Sequence, residues 1–257
     1  MKCEFNLKRF GKYFIYDLKQ SVKKVNSFIF LPVAMPLIME ILTRITNESG
    51  PQIDSRTGIF TTILFLLVII CPARLYGGLT VKDKGTEWLM LPASRGEKFF
   101  SMELISLFLL PLYFIATYLL TDWVISLFDK TIAFTIFDYM KVNLGPDGLT
   151  RVSSLPLLYL STCESCAVFL TGALLIKKPR FKISGTLLAI FLLIFISAAC
   201  LKKLCSIEWI EKFLDFLRGM NAEQTIRSFT TFTIALFVVT IGVFSTINWF
   251  KTKNLEH

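Results

Sequence analysis

The sequence predicts an all-α polytopic membrane protein: six transmembrane helices, an N-terminal amphipathic helix and a short helix in the linker after the second span. Three observations carry that prediction. First, 54% of the 257 residues are hydrophobic and the mean hydropathy is +0.60, beyond the 45–50% apolar content of an ordinary soluble domain. Second, the excess lies in six continuous blocks at residues 26–45, 58–79, 103–128, 153–176, 184–201 and 227–250. Each approaches the roughly 20 residues that a helix needs to cross about 30 Å of hydrocarbon, the fifth being the shortest. The blocks are unbroken rather than alternating. In lipid only helices or closed barrels satisfy their own backbone, so helices are the expectation. Third, the Lys and Arg residues favour one side of these blocks.

Taken in order, the first element is a basic amphipathic helix at residues 7–25. Leu7, Phe10, Phe14, Leu18, Val22 and Val25 recur at three- and four-residue steps, with Lys8, Arg9, Lys12, Lys19, Lys23 and Lys24 between them. That pattern suits a helix lying in the bilayer interface. The first apolar run follows it, too late and behind too long a basic segment for a cleaved signal peptide. The N-terminal region, the second linker (Arg74, Lys82, Lys84, Arg95, Lys98), the fourth linker (Lys177, Lys178, Arg180, Lys182) and the tail (Lys251, Lys253) together hold eighteen of the 28 Lys and Arg residues. The positive-inside rule therefore places those segments and both termini in the cytoplasm. The net charge of +9 belongs to that face and reads as orientation and contact with the lipid bilayer, not as a nucleic-acid surface.

On the opposite side, residues 129–152 mix Phe134, Ile136, Phe137 and Tyr139 with charges and break at Gly145-Pro146-Asp147-Gly148. This stretch reads as interfacial. Ile207, Ile210, Phe213, Leu214, Leu217 and Met220 trace one face of a second amphipathic helix before the last span. No internal repeat is visible, so residues 1–254 form a single membrane domain. Leu255-Glu256-His257 reads as the remnant of a purification tag, which leaves no other histidine. Histidine triads and histidine-ligated metals are excluded with it.

The six cysteines do not fall at metal-ligand spacing in a loop. Cys163 and Cys166 form a CxxC inside an apolar run without a βαβ context, so they read as buried thiols. Cys200 and Cys205 leave both a disulfide and two thiols open. No GxxxxGK[ST] phosphate loop, HExxH or GxSxG occurs. No catalytic or metal site follows, and the chain does not read as an enzyme.

The second linker is the informative one. A short helix can start at Asp83 or Thr86, both good cap residues, and must stop near Leu91, because Pro92 disfavours helical geometry in the residue before it. Ser94-Arg-Gly-Glu97 is then a capping box that opens the helix of the third span. A short helix is thus clamped between the ends of two spans. Trp88, in a charged loop, reads either as an anchor for a protein partner or as part of an interfacial aromatic belt. Within the fourth span Glu164 stands near mid-membrane, where a charge is costly. It reads either as a polar contact on a translocation path or as a carboxyl hydrogen-bonded to Ser161 or Thr162. Ser161, Ser165 and Gly172 are the small or polar residues that mark a possible packing face on this span.

At Gly85-Thr86, Leu89, Leu91, Pro92-Ala93-Ser94-Arg95 and Lys98 the linker resembles the coupling helix of the type-2 family of ABC export permeases, particularly versions from Bacteroidetes-type bacteria. The resemblance extends to the six-span topology, with residues 7–25 as the elbow helix. One departure is the run Lys82-Asp83-Lys84, where the family carries more acids. The resemblance implies the permease subunit of an exporter in a bacterial inner membrane, paired with a second permease subunit and served by a separate ABC ATPase. ATP and Mg would sit on that ATPase, with no cofactor on this chain. Asp83, Gly85, Thr86, Glu87, Trp88, Leu91, Pro92 and Ser94 would form the ATPase contact. The competing expectation is an ATPase-independent membrane protein with an immunity or scaffold role.

Overall fold

A computed structural model describes residues 5–46, 53–80, 88, 90–128, 135–139, 141–144, 150–153, 155–176, 178, 181–192 and 222–254. The first helix, α1, runs Leu7–Val25. Asn6 starts it: its Oδ1 accepts hydrogen bonds from the Lys8 and Arg9 amides at 3.0 and 3.4 Å, satisfying donors that the first turn leaves unpaired. The buried stripe of α1 is Tyr13, Asp17, Ser21 and Val25, one helical turn apart. The apolar face expected from the sequence is divided. Phe14 and Leu18 pack against the core, whereas Leu7 and Val22 remain 79% and 52% exposed. A helix with one edge on the bundle and its apolar flank outward fits an interfacial position.

A 3-10 turn at Asn26–Ile29 leads into α2, Leu31–Thr46. The helix begins later than the apolar run because the chain turns first and Pro32 suits the opening turn of a helix. Pro36 lies inside it. At 1.5 Å per residue, its 16 residues cover about 24 Å, short of a full span. The next helix, α3, runs Ile53–Tyr76 and closes with a 3-10 turn at Gly77–Thr80.

The third apolar run contains a discontinuity. Helix α4, Arg95–Glu103, passes into a π-helical segment, Leu104–Leu109, before α5, Leu110–Phe128. The Leu110 amide bonds the Ile105 carbonyl, five residues back. Pro111 follows directly, lacks an amide hydrogen and would collide with the carbonyl four residues before it. Widening the preceding turn by one residue accommodates that defect. After α5 comes a single turn, α6, Ile136–Tyr139.

Strands β1, Lys141–Leu144, and β2, Thr150–Ser153, then pair antiparallel with Lys141 opposite Ser153 and Leu144 opposite Thr150. This hairpin departs from the all-α expectation. Lys141 and Asn143 alternate with Val142 and Leu144, the period of a strand. Helices α7 (Leu155–Leu175), α8 (Lys182–Leu192) and α9 (Ala222–Asn254) complete the described chain.

Among the described residues four helices are long and apolar enough to cross a membrane: Ser55–Thr80, Arg95–Phe128, Leu155–Leu175 and Thr230–Lys253. They match the second, third, fourth and sixth apolar runs. Of the fifth run only Lys182–Leu192 is described, and the expected amphipathic helix at 207–220 lies outside the described residues. The chain is therefore a predominantly helical membrane protein. Its core gathers Phe60, Leu67, Tyr76, Met102, Phe114, Leu170 and Leu174, all 2% exposed or less.

Buried polar contacts fix how the helices meet. Arg56 on α3 donates from Nε to Asp122 Oδ1 on α5 at 3.0 Å, and its Nη2 bonds the same oxygen. Asp122 Oδ2 accepts from the Ile136 amide at 2.9 Å, so one carboxylate ties α3, α5 and the short α6. Lys182, opening α8, donates to the carbonyls of Gly77 and Ala173 and to Thr80 Oγ1. It thereby closes carbonyls left open at the ends of α3 and α7. Gly172 lies against Thr186: a Cβ there would overlap the threonine side chain. Gly172, one of the small residues expected to mark a packing face, thus packs against α8.

Arg56 and Asp122 are 7% and 3% exposed. Removing one partner of such a pair typically costs about 3–5 kcal/mol, because a buried charge is left uncompensated. Asp122→Ala should therefore lower the melting temperature of the detergent-solubilised protein sharply. Arg56→Met combined with Asp122→Leu should recover most of the loss. Equal melting of Asp122→Ala and wild type would show that the pair holds nothing.

Candidate functional site

Helix α4 collects the polar contacts at the other end of the bundle, and its first residue follows the Pro92 stop. Helical geometry holds at Trp88 and Met90 and gives way to a bend at Leu91–Ala93, where the Ala93 amide bonds the Leu91 carbonyl at 2.8 Å. Ser94 is extended (φ −68°, ψ 159°) and forms the expected capping box. Its Oγ accepts from the Glu97 amide at 3.3 Å, and Glu97 Oε2 accepts from the Ser94 amide at 2.8 Å. Asp83, Gly85, Thr86 and Glu87 lie outside the described residues.

Glu97 does more than cap its own helix. Its Oε1 accepts from the Asn6 amide at 2.8 Å. Arg9 grips both oxygens, Nε at 2.8 Å from Oε2 and Nη2 at 2.8 Å from Oε1. The carboxylate is fully buried while Arg9 is 36% exposed. The starts of α1 and α4 thus converge on one anion, placed where the positive ends of both helices favour it. The paired geometry is the strong form of the arginine–carboxylate contact.

One turn along α4, Ser101 Oγ donates to Asp17 Oδ2 at 2.7 Å, and the Tyr76 hydroxyl donates to the same oxygen at 3.1 Å. This joins α1, α3 and α4. Burial raises the Asp17 carboxyl above its ordinary value, opposed by the Ser101 and Tyr76 donors and by the charge of Lys24. Burial, reinforced by Asp17, also raises the Tyr13 hydroxyl. Glu103, at the end of α4, accepts from Ser245 Oγ at 3.0 Å and Asn248 Nδ2 at 3.1 Å. The Phe99 and Trp249 rings meet edge to face at 5.1 Å beside it. So α4 is latched to α1 and α3, and at its far end to α9.

Trp88 turns inward. It is half-buried and packs against the core, with Lys98 Nζ over its ring at 5.1 Å. Its indole N–H approaches the Tyr13 hydroxyl but makes no hydrogen bond of good geometry. Among the described residues of this segment Met90 is exposed, at 85%. Pro92 is exposed, Leu91 is half-buried and Ser94 is buried as the cap. Sequence reasoning did not single out Met90. An apolar residue two positions before the proline stop was the available signal.

Glu164 is half-buried on α7. Ser161 and Thr162 donate instead to the Leu158 and Tyr159 carbonyls of their own helix, at 2.9 and 2.7 Å. Cys163 and Cys166 are buried and unbridged. Cys200 and Cys205 lie outside the described residues. Comparison with protein-family models, with curated proteins and with solved structures found no match.

The raised Asp17 carboxyl has a consequence for stability. Well below its ordinary value of 3.8 the group is protonated in both the folded and the unfolded chain. As pH rises the unfolded chain ionises first, so the contribution of Asp17 is lost as pH climbs through the folded-state value. The melting temperature of wild type relative to Asp17→Asn should therefore fall as pH is raised from 4. Parallel melting curves for the two proteins across that range would contradict the assignment.

Proposed function

We propose that this chain is the membrane-spanning permease subunit of an ABC-type exporter in a bacterial inner membrane, working with a separate ATPase. In this reading the basic face is cytoplasmic and both termini lie on it. The apolar runs 26–45 and 184–201 add two spans to the four long helices. A second permease subunit completes the path, and ATP and Mg belong to the ATPase. The segment 83–91 is the coupling helix, joined to the third span through the capping box.

The observation that supports this reading best is the mechanical connection at Pro92–Glu97. A push on the exposed segment at Met90 meets a proline bend and then a helix start locked to α1 by Glu97 and Arg9. The load passes on to α3 through Asp17 and to α9 through Glu103. Nucleotide-driven closure of a partner needs such a short, rigid connection to several helices at once. Trp88 serves in this scheme as the inner anchor of the segment, and Met90 as its outer contact.

The test is recovery of the ATPase with the tagged chain purified from its native host, at matched membrane abundance. Loss of an interface hot spot costs at least about 2 kcal/mol, roughly thirtyfold in affinity, and this reading makes Met90 such a residue. Met90→Glu should therefore strip the ATPase and its stimulated hydrolysis, whereas Phe232→Ala, on the exposed apolar flank of α9, should leave both unchanged. Equal recovery with Met90→Glu would remove the coupling assignment. Recovery of no ATPase with wild type would favour the ATPase-independent reading.

A further inference from the structure

Two cavities lie side by side along α1, and their chemistry is complementary to a single amphiphile. The larger, about 640 Å³, opens between α1, the end of α3 and the segment around Trp88. Tyr13, Asp17, Gln20 and Lys24 line it from α1, and Arg74 and Trp88 from the far side. The smaller, about 320 Å³, is almost wholly apolar and is walled by Leu18, Val22, Ile29, Ile105 and Tyr113. Leu75 borders both. The two sets of α1 residues are neighbouring stripes of one helix, one at 13, 17, 20 and 24 and the other at 18, 22 and 25. The helix thus separates a polar chamber from an apolar slot.

The polar chamber favours an anion. Lys24 and Arg74 are exposed at its rim. Lys24 donates to the Leu75 carbonyl at 3.2 Å and lies over the Tyr76 ring, and the Arg74 guanidinium stacks 4.5 Å from the Phe28 ring centroid. Among the described residues neither makes a salt bridge with a carboxylate. The acid in the chamber, Asp17, is occupied by the Ser101 and Tyr76 hydroxyls. Lys182 also lines it but is committed to Gly77, Thr80 and Ala173. The Trp88 ring forms part of the wall. Two rim cations and an amide at Gln20 suit a phosphodiester. An interfacial helix with tyrosines and a tryptophan at headgroup level is where one would lie.

We propose that α1 carries a binding site for an anionic phospholipid, with the headgroup between Lys24, Arg74 and Trp88 and one acyl chain in the slot formed by Leu18, Val22, Ile29 and Tyr113. The site rests on the membrane character of the chain and not on its role as an exporter. Ile105 and Leu109, both in the π-helical segment, line the slot. A bound chain would therefore fill space next to the one irregular turn of the third span.

The experiment uses the full chain in detergent, with no ATPase present, so that its result is independent of the exporter reading. Native mass spectrometry would count lipids retained from mixed micelles containing phosphatidylglycerol or phosphatidylcholine, and thermal unfolding would follow each addition. Phosphatidylglycerol should be retained selectively and raise the melting temperature. Lys24→Gln and Arg74→Gln should each weaken retention about fivefold, the usual effect of one basic residue near an anionic surface. Val22→Trp, which fills the slot from the exposed flank of α1, should abolish retention while leaving the rim cations in place. Equal retention of the two lipids by wild type would overturn the proposal. Protection by inorganic phosphate equal to that by phosphatidylglycerol would show a simple anion pocket and overturn the lipid assignment. Undiminished retention by Val22→Trp would overturn the placement of the acyl chain.

Discussion

Everything at the basic end of this bundle depends on a carboxylate that water does not reach. Glu97 accepts from the amides of Ser94 and Asn6 and from the guanidinium of Arg9. Its burial is tolerable because each oxygen is engaged by at least two donors. Without them an anion at that depth would be expelled or neutralised. With them, two helix starts that are 88 residues apart in the chain become one rigid corner. The proline bend delivers the chain into that corner, and the register of α4 then places Ser101 against Asp17 and Glu103 against α9.

The placement of polar groups follows from the medium. Lipid offers no hydrophobic drive for helix association, so packing and internal hydrogen bonds must select the arrangement. The pair Arg56–Asp122 at one end of the long helices and the set Glu97, Asp17, Glu103 and Lys182 at the other do that selecting. The apolar flanks of α2 and α9, with Ile41, Phe232 and Val239 exposed, are surfaces suited to hydrocarbon.

Much of this was legible in the sequence where the signal was local. The capping box reads directly, since Ser94 and Glu97 are three residues apart and their partners are each other. The proline stop and the four long apolar helices were equally visible. What escaped was long-range. Nothing in one sequence links Arg9 to Glu97, or Asp17 to Tyr76, and no local pattern marks Asp17 as part of a buried stripe. At residues 26–45 a 3-10 turn and two prolines make the helix shorter than the apolar run. At 141–144 and 150–153 a strand period was hidden among charges. Trp88, which reads either as a partner anchor or as part of an aromatic belt, packs half-buried against the core, with Met90 exposed beside it.

The claim that α1 and α4 form one mechanical unit through Glu97 is tested most directly by hydrogen exchange. The Asn6 and Ser94 amides both donate to that carboxylate, so opening it should expose both helix starts together. In Glu97→Ala the first turns of α1 and α4 should exchange faster by the same factor, while α7 stays protected. Faster exchange in α4 alone, with α1 unchanged, would mean that Glu97 is merely a local cap and that the two helices are held together by something else.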